Sequence, residues 1–237
     1  MHPYAALGDS ISIDAYAGGP GRGGASLLHR NRDEDFPEWA GRDLSSRVPG
    51  ARLLLLATDG ATSATVVDRQ LPQLRRSGAV PGLATLTIGG NDLLQAYGDA
   101  ASARAVIRRV VTLGRRALTE LRELMGTAAP IVVGTVYDPS DGTGRGELVG
   151  LPPWPDAVMV LAELNAALAG LAAEHGALVA DIHGRFLGHG ALAGDVTRPD
   201  PRPPDRDLWY CSVIEPNAWG ADGIRAAFWD ALGPATG

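Results

Sequence analysis

An α/β domain of three layers is expected from this chain, with about five parallel strands held between two layers of helices. Two features carry that expectation. Short apolar runs alternate with longer segments of helical period along the 237 residues, and such alternation builds a parallel sheet with right-handed crossovers. The runs are also apolar almost throughout rather than at every second position, as in strands covered on both faces.

Five runs qualify as strands: residues 3–7, 52–57, 84–88, 131–135 and 177–182. The third, with Thr85 and Thr87, fits the buried pattern least well. Between them lie helical stretches with apolar residues three and four apart, each giving one buried stripe. One carries Val66, Val67, Leu71 and Leu74, and a second carries Ile107, Val110, Ala117 and Leu121. A third carries Val158, Leu161, Leu164, Leu168 and Leu171, and a last one Ile224, Ala227, Phe228 and Leu232. Residues 137–156, rich in Gly, Pro and Asp, and 194–209, with four prolines, read as loops. Loops at the carboxyl ends of parallel strands build ligand sites, so these two are candidates to shape a pocket. No repeat or linker divides the chain, and a single domain over 1–237 is expected.

Composition narrows the function. Apolar residues at 45% and charged residues at 20% fit a soluble globular protein. The formal net charge of −6 argues against nucleic acid or an anionic membrane as partner. Arg104, Arg108, Arg109, Arg115, Arg116 and Arg122 read as the solvated face of one helix. Cys211 is the single cysteine, which excludes an intrachain disulfide and a cysteine-based zinc site. His183 and His189 have a zinc-like spacing but no cysteine pair beside them, so no metal and no cofactor are expected. The first strand starts almost at Met1 with no signal-peptide pattern ahead of it, and no apolar run looks long enough to span a bilayer, so a cytoplasmic address is expected.

Chemistry concentrates in four places. The first strand ends in Leu7-Gly8-Asp9-Ser10-Ile11, and a serine there sits where backbone amides can converge on a reacting oxygen. Alone, Gly-Asp-Ser is ordinary turn sequence, and a helix-capping serine is the plainer reading. After the second strand comes Thr58-Asp59-Gly60-Ala61-Thr62, and after the third Ile88-Gly89-Gly90-Asn91-Asp92. Near the end comes Ile214-Glu215-Pro216-Asn217-Ala218-Trp219-Gly220, followed by an amphipathic helix. Gly18 to Gly24 resembles a phosphate loop but lacks its Lys-Ser/Thr, and reads instead as a flexible loop or lid beside Ser10. The Gly-x-Ser-x-Gly elbow is absent.

In order and context these blocks resemble the SGNH (GDSL-type) hydrolases over essentially the whole chain. The resemblance implies a flavodoxin-like strand order and hydrolysis of a small-molecule carboxylic ester or thioester. It implies Ser10 as nucleophile, with the Ser10 and Gly60 backbone N–H groups and the Asn91 side-chain amide as oxyanion donors. Acyl transfer builds negative charge on the carbonyl oxygen, and fixed donors stabilise it without reorganising. Asp9 and Asp92 are candidate supporting residues. Trp154 or Trp209 is a candidate wall of an apolar acyl pocket.

The fourth block departs from the family. Where Asp-x-x-His-Pro is expected, this chain has Ser212-Val213-Ile214-Glu215-Pro216, so Glu215 stands for the base histidine and Ser212 for its aspartate. A carboxylate is a weaker base than imidazole, with an ordinary pKa of about 4.3 against about 6.5. Burial beside apolar groups raises it and restores basicity. Three readings stay open. Glu215 is the base; or His183 or His189, which follow the fifth strand, supplies it; or the site has lost serine hydrolysis. Acyl transfer to an alcohol or amine, and a catalytically silent binding protein, are the corresponding alternatives. A divalent cation on Asp9, Asp14, Asp92 and Glu215 is a further one.

Overall fold

The computed structural model describes residues 2–193 and 208–233. Five strands, β1 (Tyr4–Leu7), β2 (Leu53–Leu55), β3 (Leu83–Leu86), β4 (Ile131–Gly134) and β5 (Leu178–Ala180), form one sheet. All pair in parallel, in the order β2-β1-β3-β4-β5. This is the expected flavodoxin-like order, whose topological switch lies between β1 and β3. The crevice outside their carboxyl ends therefore receives the residues following Leu7 and Leu86.

The sheet divides its apolar residues by parity. Ala5 and Leu7 of β1, Ala84 and Leu86 of β3, and Ile131 and Val133 of β4 pack on one face. Tyr4, Ala6, Leu83 and Val132 pack on the other. The first face is covered by α3 (Ser63–Thr65), α4 (Leu71–Arg76), α6 (Ala100–Met125) and α7 (Ala157–Glu174), with a π-helical segment at Val66–Gln70 joining α3 to α4. The second face is covered by α1 (Gly24–His29), α8 (Ile182–Phe186) and α9 (Ala218–Leu232). Two further short helices, α2 (Leu44–Arg47) and α5 (Gly90–Leu94), complete the α-helices of the described residues.

Burial on both faces holds for β1, β3 and β4, whereas edge strands β2 and β5 leave Leu55, Leu178 and Val179 exposed. The threonines of the third strand are buried because each has a partner. The Thr85 hydroxyl meets the Tyr4 hydroxyl at 2.8 Å, and Thr87 serves Asp9. The arginines of α6 do more than face solvent. Arg104 and Arg115 pair with Glu163 and Glu174 of α7, and Arg122 donates to the carbonyls of Ala129, His175 and Gly176. Helix α7 is long and apolar enough to cross a membrane by length and composition, a match the sequence reading had not anticipated. Its Val160, Leu164, Leu168 and Leu171 are buried against the sheet, as in a core helix.

Arg225 of α9 is fully buried. Its guanidinium bonds to Asn31 and Asp222 and lies over the Trp39 ring at 4.1 Å, so one side chain ties α9 to the segment after α1.

Candidate active site

Residues Gly8 to Ser12 are fixed by an unusual density of polar contacts. Gly8 has φ of +125°, and a side chain there would press within 2.2 Å of the Thr87 backbone oxygen, so only glycine fits. The Gln70 side chain reads both backbone groups of Gly8, accepting from its N–H and donating to its C=O at 2.8 Å each. Thr87 donates to the Asp9 carboxylate at 2.9 Å, and its hydroxyl oxygen accepts from the Asp9 N–H at 3.2 Å. Ser10 then opens a 3₁₀ turn, Ser10–Ser12, directly past β1.

The other two blocks are tied to this one. The Thr58 N–H donates to the Gly8 carbonyl, which anchors the turn holding Gly60 beside β1. Gly60 lies in that exposed turn with φ of +66°, and its N–H finds no acceptor among the described residues. Asn91 opens onto the same region from α5. Its side-chain amide donates to the Ala61 carbonyl at 3.1 Å, leaving its second N–H uncommitted among the described residues. Asp92 is buried and accepts from the backbone and hydroxyl of Ser63, so it locks the second block to the third.

Glu215 arrives from a two-stranded antiparallel hairpin, β6 (Tyr210–Cys211) and β7 (Glu215–Pro216), in which Cys211 pairs with Glu215. Three features hold the hairpin. Ser212 and Val213 turn it with positive φ, Tyr137 donates to the Ile214 carbonyl at 2.6 Å, and Asn217 caps α9 while donating to the Leu208 carbonyl. Burial pushes the Glu215 carboxyl above its ordinary range, a hydrogen bond from the Ser10 side chain draws it back, and the Asp59 charge adds to the rise. The Glu215 Oε2 atom is buried and finds no hydrogen-bond partner among the described residues. Ser212 sits at the exposed tip of the turn, where its side chain makes no bond to Glu215.

The remaining sequence candidates are placed elsewhere. The His183 ring meets the Val136 carbonyl at 3.2 Å, and His189 stacks on Trp209 at 3.7 Å between centroids. Neither lines the cavity that holds Ser10; His189 and Trp209 border a separate crevice against α9. The alternative in which one of them supplies the base therefore rests on residue type alone. Asp14 is spent on the amides of Gly21 and Gly23, and Asp92 on Ser63, so the four carboxylates proposed for a cation do not converge. No cluster of three or more His, Cys, Asp or Glu suited to a metal occurs among the described residues. The Gly18–Gly24 segment is pinned through Asp14 and the Arg22–Asp35 pair, an anchored arrangement rather than a free loop. Of the segment 194–209, residues 194–207 lie outside the described residues.

Beside Ser10 opens a cavity of about 120 Å³, whose lining includes Leu93, Tyr97, Trp154 and Leu161 together with Ser10 and Asn91. The loop 137–156 supplies one side of it. Trp154 therefore stands where the sequence put a pocket wall, and Trp209 does not. Sequence reasoning missed Gln70, which lies between the apolar residues of a helical stripe and carries no motif, and Tyr137, which carries none either.

Burial is the main force on Asp9, with the Glu215 charge adding to it and the Thr87 and Ile11 hydrogen bonds opposing; the carboxyl rises from 3.8 to about 7. The native state thus holds this proton more tightly than the unfolded chain does. Stability from Asp9 is fully present below about pH 4, falls as pH rises through 7, and the loss amounts to at most about 4 kcal/mol. Asp9→Asn is expected to melt above wild type at pH 8 and level with it at pH 4. Parallel pH–stability curves for the two proteins would contradict this.

The chain resembles known proteins along its whole length. The sequence profile of the GDSL-like Lipase/Acylhydrolase family matches residues 6–222. No curated protein sequence matches. Among solved structures, a GDSL-like lipase from Parabacteroides merdae superposes with TM-score 0.67 at 14% identity, over 98% of this chain and 95% of that one. An acetylxylan esterase from Geobacillus stearothermophilus gives 0.62 at 16% identity, over 98% and 94%. An extracellular lipase from Streptomyces rimosus gives 0.60 at 24% identity, over 98% and 100%. With the parallel sheet in flavodoxin-like order and the serine, glycine and asparagine blocks tied together at its switch point, the match over residues 6–222 establishes that this chain belongs to the GDSL-like lipase/acylhydrolase family.

Proposed function

We propose that the protein hydrolyses a carboxylic ester or thioester by attack of Ser10 on the acyl carbon, with Glu215 as general base. The observation that carries this reading is the packing of the Glu215 strand against the Ser10–Ser12 turn, which sets a carboxyl whose proton affinity burial has raised beside the Ser10 side chain. In the first half-reaction the Ser10 oxygen bonds to the acyl carbon and its proton passes to Glu215. The carbonyl oxygen becomes an oxyanion facing the N–H groups of Ser10 and Gly60 and the free N–H of Asn91. Collapse breaks the ester bond, and the leaving alcohol or thiol takes the proton from Glu215. Water, deprotonated by Glu215, then attacks the acyl-Ser10 ester; breakage of that ester returns the proton to Ser10 and frees the acid.

The apolar cavity beside Ser10 supports placing the acyl group there. Tyr16 and Asp59, whose charges reach Glu215, do not line that cavity and are bonded to each other at 2.9 Å, a polar neighbourhood that suits an alcohol portion. The test is hydrolysis of p-nitrophenyl esters from acetate to hexanoate. Turnover is expected in the wild type, and Asn91→Ala is expected to lower kcat by about 10²–10³ with little change in KM. An Asn91→Ala enzyme with unchanged kcat removes that side chain from the oxyanion hole. A wild type inert to every ester favours the silent binding protein.

A further inference from the structure

Gln70 does not line the cavity beside Ser10, yet it is only 2% exposed and commits its side-chain amide to one residue. It accepts from the Gly8 N–H and donates to the Gly8 C=O, at 2.8 Å each. Those backbone groups need partners because Gly8 is buried and the ladder between β1 and β2 has already ended at Ala6 and Leu55.

The sequence explains why a glutamine reaches that point. Pro72 has no N–H, and its ring crowds the carbonyl four residues back, that of Asp68, so α-helical bonding cannot run unbroken through this stretch. The chain widens instead into the π-helical segment Val66–Gln70, in which the Leu71 N–H bonds to the Val66 carbonyl. Such segments are rare and occur frequently at functional sites. This one turns Val66, Val67 and Gln70 inward together.

The Gly8 carbonyl is a junction. It accepts from the Thr58 N–H at 3.1 Å as well as from Gln70, and at the other end of the same peptide the Asp9 N–H donates to Thr87. At φ of +125° and without a Cβ, Gly8 has little steric restraint of its own, so these bonds fix the plane of the Gly8–Asp9 peptide. The next amide along the chain is the Ser10 N–H, and Thr58 leads directly to Gly60.

We propose that Gln70 is a positioning residue for the oxyanion hole. By holding the Gly8–Asp9 peptide, it aims the Ser10 N–H and sets the Gly60 turn against it. The proposal rests on the assignment of those two N–H groups as oxyanion donors. Fixed donors stabilise developing charge only where they already point at it. A misplacement of about 1 Å, even one caused from a distance, costs up to about 10² in rate.

Gln70→Met keeps the length of the side chain and removes both bonds. In protein labelled with ¹⁵N-serine, the amide resonance lost in Ser10→Ala assigns Ser10, and that resonance is expected to move in Gln70→Met. With p-nitrophenyl butyrate, kcat is expected to fall by about 10–10², while KM changes by less than about twofold. Tyr4→Phe, which removes the buried Tyr4–Thr85 bond between β1 and β3, is the control for a sheet that is merely less stable. It is expected to melt below wild type with kcat and the Ser10 resonance unchanged. Gln70→Glu carries the test if Gln70→Met fails to fold. At about pH 5 its buried carboxyl is neutral, donates as well as accepts, and is expected to match wild type at that pH. At about pH 9, ionised and unable to donate, it is expected to fall about 10–10² below wild type. An unmoved Ser10 resonance, an unchanged kcat, a loss confined to KM, or an equal loss of kcat in Tyr4→Phe overturns the proposal. A displaced Ser10 resonance in a protein that turns over no ester sinks the hydrolysis reading and leaves the hold of Gln70 on the Ser10 N–H standing.

Discussion

Ser10→Ala is expected to abolish ester hydrolysis, lowering kcat by roughly 10⁴–10⁶ while the protein melts near the wild-type temperature. The size follows from the chemistry. Without the hydroxyl no acyl-enzyme forms, and what remains is the contribution of binding and of the oxyanion donors to direct attack by water. The structural cost is small because the hydroxyl of Ser10 contributes to none of the contacts that build the turn; those join Gly8 to Gln70 and Asp9 to Thr87. Assays with p-nitrophenyl butyrate, beside a thermal melt, separate the two quantities. Full activity in a folded Ser10→Ala protein would remove Ser10 from the reaction.

The second large effect concerns Glu215. Glu215→Gln is expected to lower kcat by about 10²–10⁴, the usual contribution of a positioned base, since the amide keeps the shape and loses the proton acceptor. The wild-type rate is expected to rise with pH through the elevated pKa of this carboxyl, because only the ionised form accepts the serine proton. Burial favours the neutral form and so moves that rise upward from the ordinary carboxylate range. Glu215→His, with an imidazole of ordinary pKa about 6.5, is expected to retain activity at neutral pH. Two results would count against the carboxylate as base. One is a Glu215→Gln enzyme as fast as wild type. The other is an inert wild type that gains activity only on Glu215→His.

Much of this arrangement could be read along the chain. Continuous apolar runs gave the five strands to within a few residues, because β1, β3 and β4 are buried on both faces. The edge strands β2 and β5 were drawn too long, since the sheet leaves their ends partly open. Ser10 and Asn91 were legible as positions because one follows a strand end and the other opens a helix, and Glu215 because it stands in the motif block just ahead of the last helix. What lay beyond reach was set by partners distant in sequence. The two-residue strands of the β6–β7 hairpin are too short to carry a period, yet they aim Glu215. Gln70 and Gly8 are sixty-two residues apart, and nothing local announces their pairing. Arg225 falls beside an apolar stripe and would be placed in solvent by its charge; Asn31, Asp222 and Trp39 hold it inside. His183 and His189 looked suited to proton transfer by residue type alone, and tertiary packing turned one to a carbonyl and the other onto an indole.

Reaction with a fluorophosphonate, followed by peptide mass spectrometry, tests the central claim most directly. A single adduct on the peptide containing Ser10, forming faster as pH rises and absent from Ser10→Ala, is the predicted result. An adduct on another residue, or none on a protein that still hydrolyses esters, would contradict it.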